Sequence, residues 1–289
     1  MDATQYHITT FWGPRLDSLE AVGDRYLQTL DAFNTILPFP TDFSLLKQDR
    51  REAYDDEDIL VRLEQAGLDM DPDDLNEEML DALFVDSLPL YQARHQIIDI
   101  VKANIKYDDD REPDPRNGYW LCSRSQPDQG PEAVSFTANV SNTWERGSGN
   151  RAEFKTDNDV APDPAMITFP IFKSLLWTLV STWRADFGLV KAVIPLENDE
   201  PQMRPIHGGV AWELVSEPRP EGQTNWMAYF SPQEIGMILP LPSHVLTEWA
   251  PDGGMFLYAA KESFDPKNPR HIAGSKAIEE ARKQRARSR

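Results

Sequence analysis

The sequence predicts an α+β fold in which helices pack on a mostly antiparallel or mixed sheet. In the first 115 residues apolar side chains recur at helical spacing among many acidic residues, which indicates a helix-rich acidic N-terminal part. From residue 116 onward, short β-branched and aromatic runs predominate. The 289 residues are 40% hydrophobic, enough for a sizeable core. Because helices come early and strands late, a doubly wound parallel sheet fits less well.

The chain opens with a predicted strand and helix. The strand covers residues 6–12 and is closed by the turn-forming pair Gly13-Pro14. Asp17 or Ser18 can cap the helix that follows, whose apolar face runs over residues 19–33 and which ends before Pro38.

Three further helices are expected in the acidic part. The first starts in the run Asp55-Asp56-Glu57-Asp58 and stops at Gly67, and acidic residues at a helix start favour the positive end of its dipole. Its expected apolar stripe comprises Ile59, Leu60, Leu63 and Ala66. The second starts at Asp71-Pro72 and is expected to bury Leu75, Met79, Leu80 and Leu83, and the third covers residues 88–105.

The later part is expected to alternate strands with fewer helices. A buried helix is predicted over 172–184, a short helix from the capping-box spacing of Ser231 and Glu234, and a last helix over 268–289. We expect the basic end of that last helix, from Arg282 onward, to fray. Strands are expected at 119–122, 134–140, 189–196, 209–215, 225–230 and 254–260.

We expect one domain over residues 1–289. A loose subdivision near residue 115 is compatible with the pattern. It would separate a helical acidic part, 13–115, from a mixed-sheet part, 116–289, to which the strand at 6–12 would be joined.

Negative charge is concentrated in one segment. Residues 49–114 contain 21 Asp and Glu against 7 Lys and Arg, so they carry −14 of the chain's −19. Such a surface repels phosphate, which argues against a nucleic-acid partner, and it attracts a basic protein over a long range.

No catalytic or metal-binding motif is present in the sequence. The five histidines do not have the spacing of a metal site, and Gly147-Ser148-Gly149 lacks the Lys-Ser/Thr ending of a phosphate loop. The single Cys122 lies among apolar residues, as a small core residue would. We therefore predict no cofactor, no metal and no enzymatic activity. A carboxylate-based enzyme remains the less favoured alternative, because carboxylates are abundant but show no specific pairing.

The N-terminus has no secretory signal pattern, so a cytoplasmic location is expected. The most apolar stretch, residues 167–183, is interrupted by polar residues and is shorter than the ~20 residues of a spanning helix. It is expected to be a buried helix, and no membrane association is predicted.

Motifs at both ends resemble the immunity protein 52 family of bacterial polymorphic toxin systems. The N-terminal motif is Thr10-Phe11-Trp12-Gly13-Pro14-Arg15. The C-terminal motifs are residues 225–231, Leu239-Pro240-Leu241-Pro242, residues 253–257, Phe264 and residues 268–271. The resemblance implies a cytosolic protein that binds and blocks a toxin encoded beside it. Toxins found beside such proteins include nucleases of restriction-endonuclease-like fold delivered by type VI secretion.

The resemblance and the charge lead to one hypothesis: the acidic segment covers the basic DNA-binding or active-site surface of a nuclease toxin. An adaptor or chaperone for a secreted effector is the alternative, and it would bind without abolishing activity. The free protein is expected to be a monomer or a homodimer. The resemblance supplies no contact residue in this segment, and the charge pattern selects Asp55, Asp56, Glu57, Asp58, Asp73, Asp74, Glu77, Glu78 and Asp81.

Overall fold

The structure is a computed structural model. It describes residues 4–15, 17–48, 56–68, 70–72, 75, 83–105, 118–126, 129–140, 150–156, 160–193, 203–206, 211–214 and 223–288. Its helices are α1 (Leu19–Ile36), α2 (Asp56–Ala66), α3 (Leu90–Ala103), α4 (Phe169–Trp183) and α5 (Pro269–Ser288). Its strands are β1 (Gln5–Phe11), β2 (Asp42–Gln48), β3 (Val85–Pro89), β4 (Tyr119–Gln126), β5 (Val134–Val140), β6 (Arg151–Thr156), β7 (Phe187–Val193), β8 (Met203–Ile206), β9 (Ala211–Leu214), β10 (Gln223–Phe230), β11 (Leu246–Trp249) and β12 (Met255–Tyr258).

Ten of these strands form one sheet in the order β11-β12-β10-β7-β1-β6-β5-β4-β2-β3, and β8 pairs with β9 separately. All neighbouring strands in the described part of the chain pair antiparallel. The first strand lies in the middle of the sheet, between β7 and β6, as strands from both halves of the sequence assemble around it. The α+β prediction with an antiparallel sheet is therefore confirmed.

One face of the sheet is covered by α1, α3 and α4. Ser18 caps α1 by accepting a hydrogen bond from the Ala21 backbone N–H, and the apolar face of α1 is buried as its spacing predicted. Gly188 in β7 lets α4 approach closely, because a Cβ there would lie 2.8 Å from Leu176 Cδ1. The main core lies between these helices and the sheet.

The opposite face is covered by α5 at β10 and β12. Gly274 allows this approach, because an added Cβ would lie 2.6 Å from the Ala259 Cα atom. The Ser275 hydroxyl accepts a hydrogen bond from the Asn225 backbone N–H at 2.8 Å. This helix therefore packs tightly against the sheet along its first half.

The prediction that the basic end of α5 frays is wrong. The helix continues to Ser288, and Ala281 is fully buried. Arg285 forms a two-pronged ion pair with Glu234 and lies over the Phe187 ring at 4.6 Å. The buried Glu234 thus holds the end of the helix in place through Arg285. The number of basic residues in the helix end did not reveal this partner.

The predicted short helix after Ser231 is a single 3-10 turn at Ile235–Met237. Glu234 does not close a capping box, because its carboxylate is bonded to Arg285 instead. The predicted start of the third acidic-part helix at residue 88 is also wrong, since residues 85–89 form β3 and the helix begins at Leu90. Most of the helix predicted after Asp71 lies outside the described residues.

The prediction that Cys122 is a core residue is confirmed, because its side chain is buried. Trp12 and Trp226 are buried as well. Asp252-Gly253-Gly254 forms a turn in which Gly253 has a φ of 85°, a conformation that glycine adopts easily. Within the described ranges, none of the helices has both the length and the apolar character that crossing a bilayer requires.

Candidate protein-binding surface

Helix α2 lies in the middle of the acidic segment. It begins at Asp56, so Asp56, Glu57 and Asp58 occupy its first turn, where negative charge is favourable. It ends at Gly67, whose φ is 67°. There the Gly67 N–H donates to the Glu64 carbonyl at 3.1 Å, and the Leu68 N–H donates to the Leu63 carbonyl at 2.9 Å. Left-handed glycine closures of this kind are common helix ends, and Gly67 was predicted as the stop.

A small core of its own anchors this helix. Ile59 and Leu63 are buried against Phe84, apart from the main core. Arg62 donates to the Asp86 carboxylate at 2.7 Å, and its guanidinium lies 5.4 Å from the centre of the Phe84 ring. Because Asp86 belongs to β3, these contacts attach α2 at the β3 edge of the sheet.

The other side of α2 exposes apolar side chains. Leu60 is 53% exposed, Val61 47% and Leu68 46%. Leu60 and Ala66 were predicted in the buried stripe, and this part of the prediction is wrong: both are exposed, whereas Ile59 and Leu63 are buried. The helix carries five apolar residues, which are Ile59, Leu60, Val61, Leu63 and Ala66. Together they spread over too wide an angle around the helix for one buried face, and this spread is the signal that the sequence reasoning missed.

The exposed residues lie close together in the chain. Leu60 and Glu64 are four residues apart on α2, so they lie on one side of the helix, and Leu68 follows directly after the helix end at Gly67. Glu64 is exposed between the two leucines. An apolar patch rimmed by charge is the usual composition of a protein-binding surface. We call the exposed residues Leu60, Val61, Glu64 and Leu68 the α2 stripe.

The structure describes only some of the nine predicted acidic contact residues. Asp58 is described and partly buried in the first turn of α2. For Asp56 and Glu57 the structure gives the backbone, which places them in the same turn. The other predicted residues lie outside the described ranges, namely Asp55, Asp73, Asp74, Glu77, Glu78 and Asp81. The acidic contact therefore stays a prediction, and the α2 stripe adds apolar residues to it.

Buried carboxylates elsewhere in the described chain are paired with arginine. Asp17 accepts hydrogen bonds from Arg25 at 2.7 Å and Arg15 at 2.9 Å. Although burial opposes its ionisation, these two bonds hold the pKa of Asp17 below its usual value. Glu234 forms an ion pair with Arg285. The lowered pKa of Asp17 is the opposite of what a general acid needs, so this carboxylate is structural.

A groove lies on the outer face of the sheet. It lies between β1, β7 and the end of α5, and its lining includes Phe187, Lys191, Arg282 and the carboxylate of Asp186. Burial, together with the nearby Arg282, lowers the pKa of Lys191. The groove has one carboxylate and no histidine, serine or cysteine among its described lining residues. Across the described ranges, no group of three or more His, Cys, Asp or Glu residues could hold a metal ion.

Part of the chain matches the model of a protein family. The model of the immunity protein 52 family matches residues 152–287, a range that runs from β6 to the last turns of α5. This range contains every C-terminal motif that carried the resemblance, so the resemblance to this family of immunity proteins is confirmed. The acidic segment and α2 lie outside the matched range. No curated protein matches the chain.

A solved structure has a similar fold. A T6SS protein of Pseudomonas aeruginosa superimposes on 97% of this chain and on 76% of its own chain, with a TM-score of 0.50 and 14% sequence identity. At this identity the comparison supports the fold alone. It extends the fold similarity to nearly the whole chain, including the part that the family model leaves unmatched.

Proposed function

We propose that this protein is a cytoplasmic immunity protein that binds a cognate secreted nuclease toxin and covers its DNA-binding surface. The α2 stripe and the acidic residues around it form the contact in this proposal. The observation that carries it is the exposure of three large apolar side chains inside a segment of charge −14. The match to an immunity protein family supplies the class of partner.

Charge complementarity supports the choice of a nuclease. A nuclease must present Lys and Arg to the phosphates of its substrate, and these residues make most of its non-specific binding energy. An acidic surface competes for the same residues and accelerates association through long-range attraction. Inhibition then requires occlusion and no chemical step in the immunity protein.

The apolar side chains supply the short-range part of the interaction. Leu60 and Leu68 are each about half exposed. Leu60 lies on α2, and the Leu68 N–H is bonded to the Leu63 carbonyl, so burial of these side chains costs little ordering of the backbone. Removing apolar surface from water contributes about 25 cal/mol per Å², so truncating a leucine that is buried in an interface should cost on the order of 1 kcal/mol. The acidic residues therefore govern the association rate, and the leucines govern the dissociation rate.

The similarity to a T6SS protein supports a type VI secretion context. In that setting the toxin is injected into neighbouring cells, and the producing cell must hold the immunity protein where incoming toxin acts on DNA. A cytoplasmic nuclease inhibitor meets this requirement.

The test uses the toxin encoded next to the gene for this protein. We expect a stoichiometric amount of the protein to abolish DNA cleavage. Leu60→Ala and Leu68→Ala should each increase the dissociation rate constant about fivefold, with little change in the association rate constant. As a control, Tyr91→Ala removes an exposed apolar side chain from α3, outside the α2 stripe. It should leave both rate constants unchanged.

The outcomes separate the hypotheses. Binding without inhibition would replace the proposal with the adaptor or chaperone function. Full inhibition together with a dissociation rate constant that neither leucine substitution changes would retain the immunity function and reject α2 as the contact. A toxin without nuclease activity that is nevertheless neutralised would contradict the nuclease assignment alone.

A further inference from the structure

The two edges of the ten-stranded sheet are protected very differently. At one edge, β3 contains Pro89, and its Asp86 is bonded to Arg62 of α2. At the other edge, β11 has the sequence Leu-Thr-Glu-Trp and pairs regularly with β12, with no proline and no bulge. Soluble proteins usually blunt an edge with proline, bulges or charge, because a bare edge pairs with other strands.

The hydrogen-bonding pattern shows which groups of β11 face outward. The Ala250 N–H donates to the Gly254 carbonyl at 2.8 Å, so this pair belongs to the hydrogen-bonded set of the β11–β12 ladder. Such pairs alternate in antiparallel sheets. Leu246 and Glu248 therefore bond to β12, whereas the backbone N–H and C=O groups of Thr247 and Trp249 point away from it.

The side chains of this edge are exposed and apolar. Trp249 is 66% exposed, Leu246 is 45% exposed, and Thr247 is also exposed. Leu239, in the preceding loop, is exposed as well. Glu248 is the charged residue of the strand, and Lys173 of α4 neutralises it at 2.6 Å. The edge thus combines outward hydrogen-bonding groups with a nearly neutral apolar surface.

The sequence of β11 is complementary to itself when Thr247 lies at the centre of the pairing. A two-fold axis perpendicular to the sheet relates the two copies and leaves each side chain on the same face of the sheet. Because opposed residues of an antiparallel pair also have their side chains on the same face, the axis must pass where one residue of β11 lies opposite its own copy. With Thr247 at the centre, Trp249 lies opposite Val245 of the second copy. An aromatic residue opposite a β-branched residue is a favourable cross-strand pair. The alternative centre, Glu248, would place like charges opposite each other.

The distribution of charge permits this contact. Because α2 is attached at the β3 edge, its acidic first turn lies nine strand spacings from β11, roughly 40 Å along the sheet. The screening length at physiological salt is only about 8 Å. The repulsion expected from the chain's net charge of −19 is therefore weak at this edge.

We propose that two copies of this chain pair antiparallel through β11, with Thr247 on the two-fold axis. The contact joins two ten-stranded sheets into one continuous sheet. It leaves the two α2 stripes at opposite ends, so one dimer presents two of them. Four-residue strands bury less area than a standard interface, and a dimer of micromolar affinity is expected. The dimer does not depend on the proposed immunity function.

The test is sedimentation equilibrium of the full chain from about 1 to 500 µM, a range that spans micromolar dimer dissociation constants. We expect the wild type to pass from monomer to dimer within it. Thr247→Pro removes an outward N–H, and proline is tolerated at such edge positions. It should weaken dimerisation at least tenfold, whereas Thr247→Ala, the matched control, should change it less than threefold. Circular dichroism checks that both variants are folded.

Hydrogen exchange provides a second readout that locates the contact. The amides of Thr247 and Trp249 should become protected as concentration rises, while those of Leu246 and Glu248 should be protected at every concentration. A wild type that is monomeric at the highest concentration would overturn the proposal. A dimer that Thr247→Pro leaves intact, or one without concentration-dependent protection of Thr247, would overturn it equally.

Discussion

The ion pair between Glu234 and Arg285 makes a prediction whose size follows from its burial. The Glu234 side chain is 3% exposed and that of Arg285 15%. Arg285 Nη2 donates to Glu234 Oε1 at 2.8 Å, and Nε donates to the other oxygen. Arg285→Ala leaves a carboxylate buried without its counter-ion, and losses of this kind cost about 3–5 kcal/mol. The free energy of unfolding should therefore fall by about 3 kcal/mol or more.

Urea denaturation at pH 7, followed by tryptophan fluorescence, measures this change. The double variant Glu234→Gln/Arg285→Met removes both charges and keeps an apolar chain over Phe187, so it should be more stable than Arg285→Ala. Truncation after Ala281 should cost at least as much as Arg285→Ala, because it also removes Arg285. A loss below about 0.5 kcal/mol for both Arg285→Ala and the truncation would refute a structural role for this pair, since that is the range of neutral surface changes.

Three more predictions concern stability, of which the first two can be measured by the same denaturation and the third by amide exchange. Gly274→Ala should destabilise the protein by about 1–3 kcal/mol despite the better helix propensity of alanine, because the added Cβ would clash with Ala259. As a control, Gly236→Ala should be nearly neutral, because the added Cβ meets no neighbouring atom. Burial, with Lys155 and Lys191 close by, lowers the pKa of His7 from 6.5 to about 4. The unfolded chain therefore binds a proton first as the pH falls, so stability should decrease from about pH 6.5 to pH 4, and His7→Gln should remove this component. Gly67→Ala should weaken α2 locally by about 1 kcal/mol because of the positive φ, seen as faster amide exchange in α2 with an unchanged global transition.

The periodic elements were the most predictable part of the fold. The face of α1, the strand at residues 134–140 and the buried α4 follow directly from apolar spacing, because one face of each is buried in the main core. In contrast, β3 is short and polar, and it is a strand because it pairs with β2. The exposed β11 has no alternating pattern, since both of its ends carry exposed apolar residues. Such edge strands depend on their neighbours and leave little trace in local sequence.

The sequence predicted the acidic residues of the candidate site, but it did not predict that apolar residues are exposed there. The acidic start of α2 and its stop at Gly67 were both read correctly from the sequence. The exposure of Leu60 was not, because the core that α2 packs on is only Ile59, Leu63 and Phe84 and has no room for a further leucine. The anchoring of Arg285 also depends on Glu234, 51 residues away, which no local pattern connects to it.

The most direct test of the immunity proposal compares two variants with equal changes in net charge. Asp58→Lys/Glu64→Lys alters α2, and Glu132→Lys/Glu280→Lys alters exposed acids at other sites. The measurement is the association rate constant with the neighbouring toxin, together with DNA cleavage, over a series of salt concentrations. We expect a large decrease in the association rate constant for the α2 variant at low salt, which diminishes as salt is added, and a small decrease for the control. Equal rate constants for the two variants, with full inhibition by both, would contradict the claim that α2 faces the toxin.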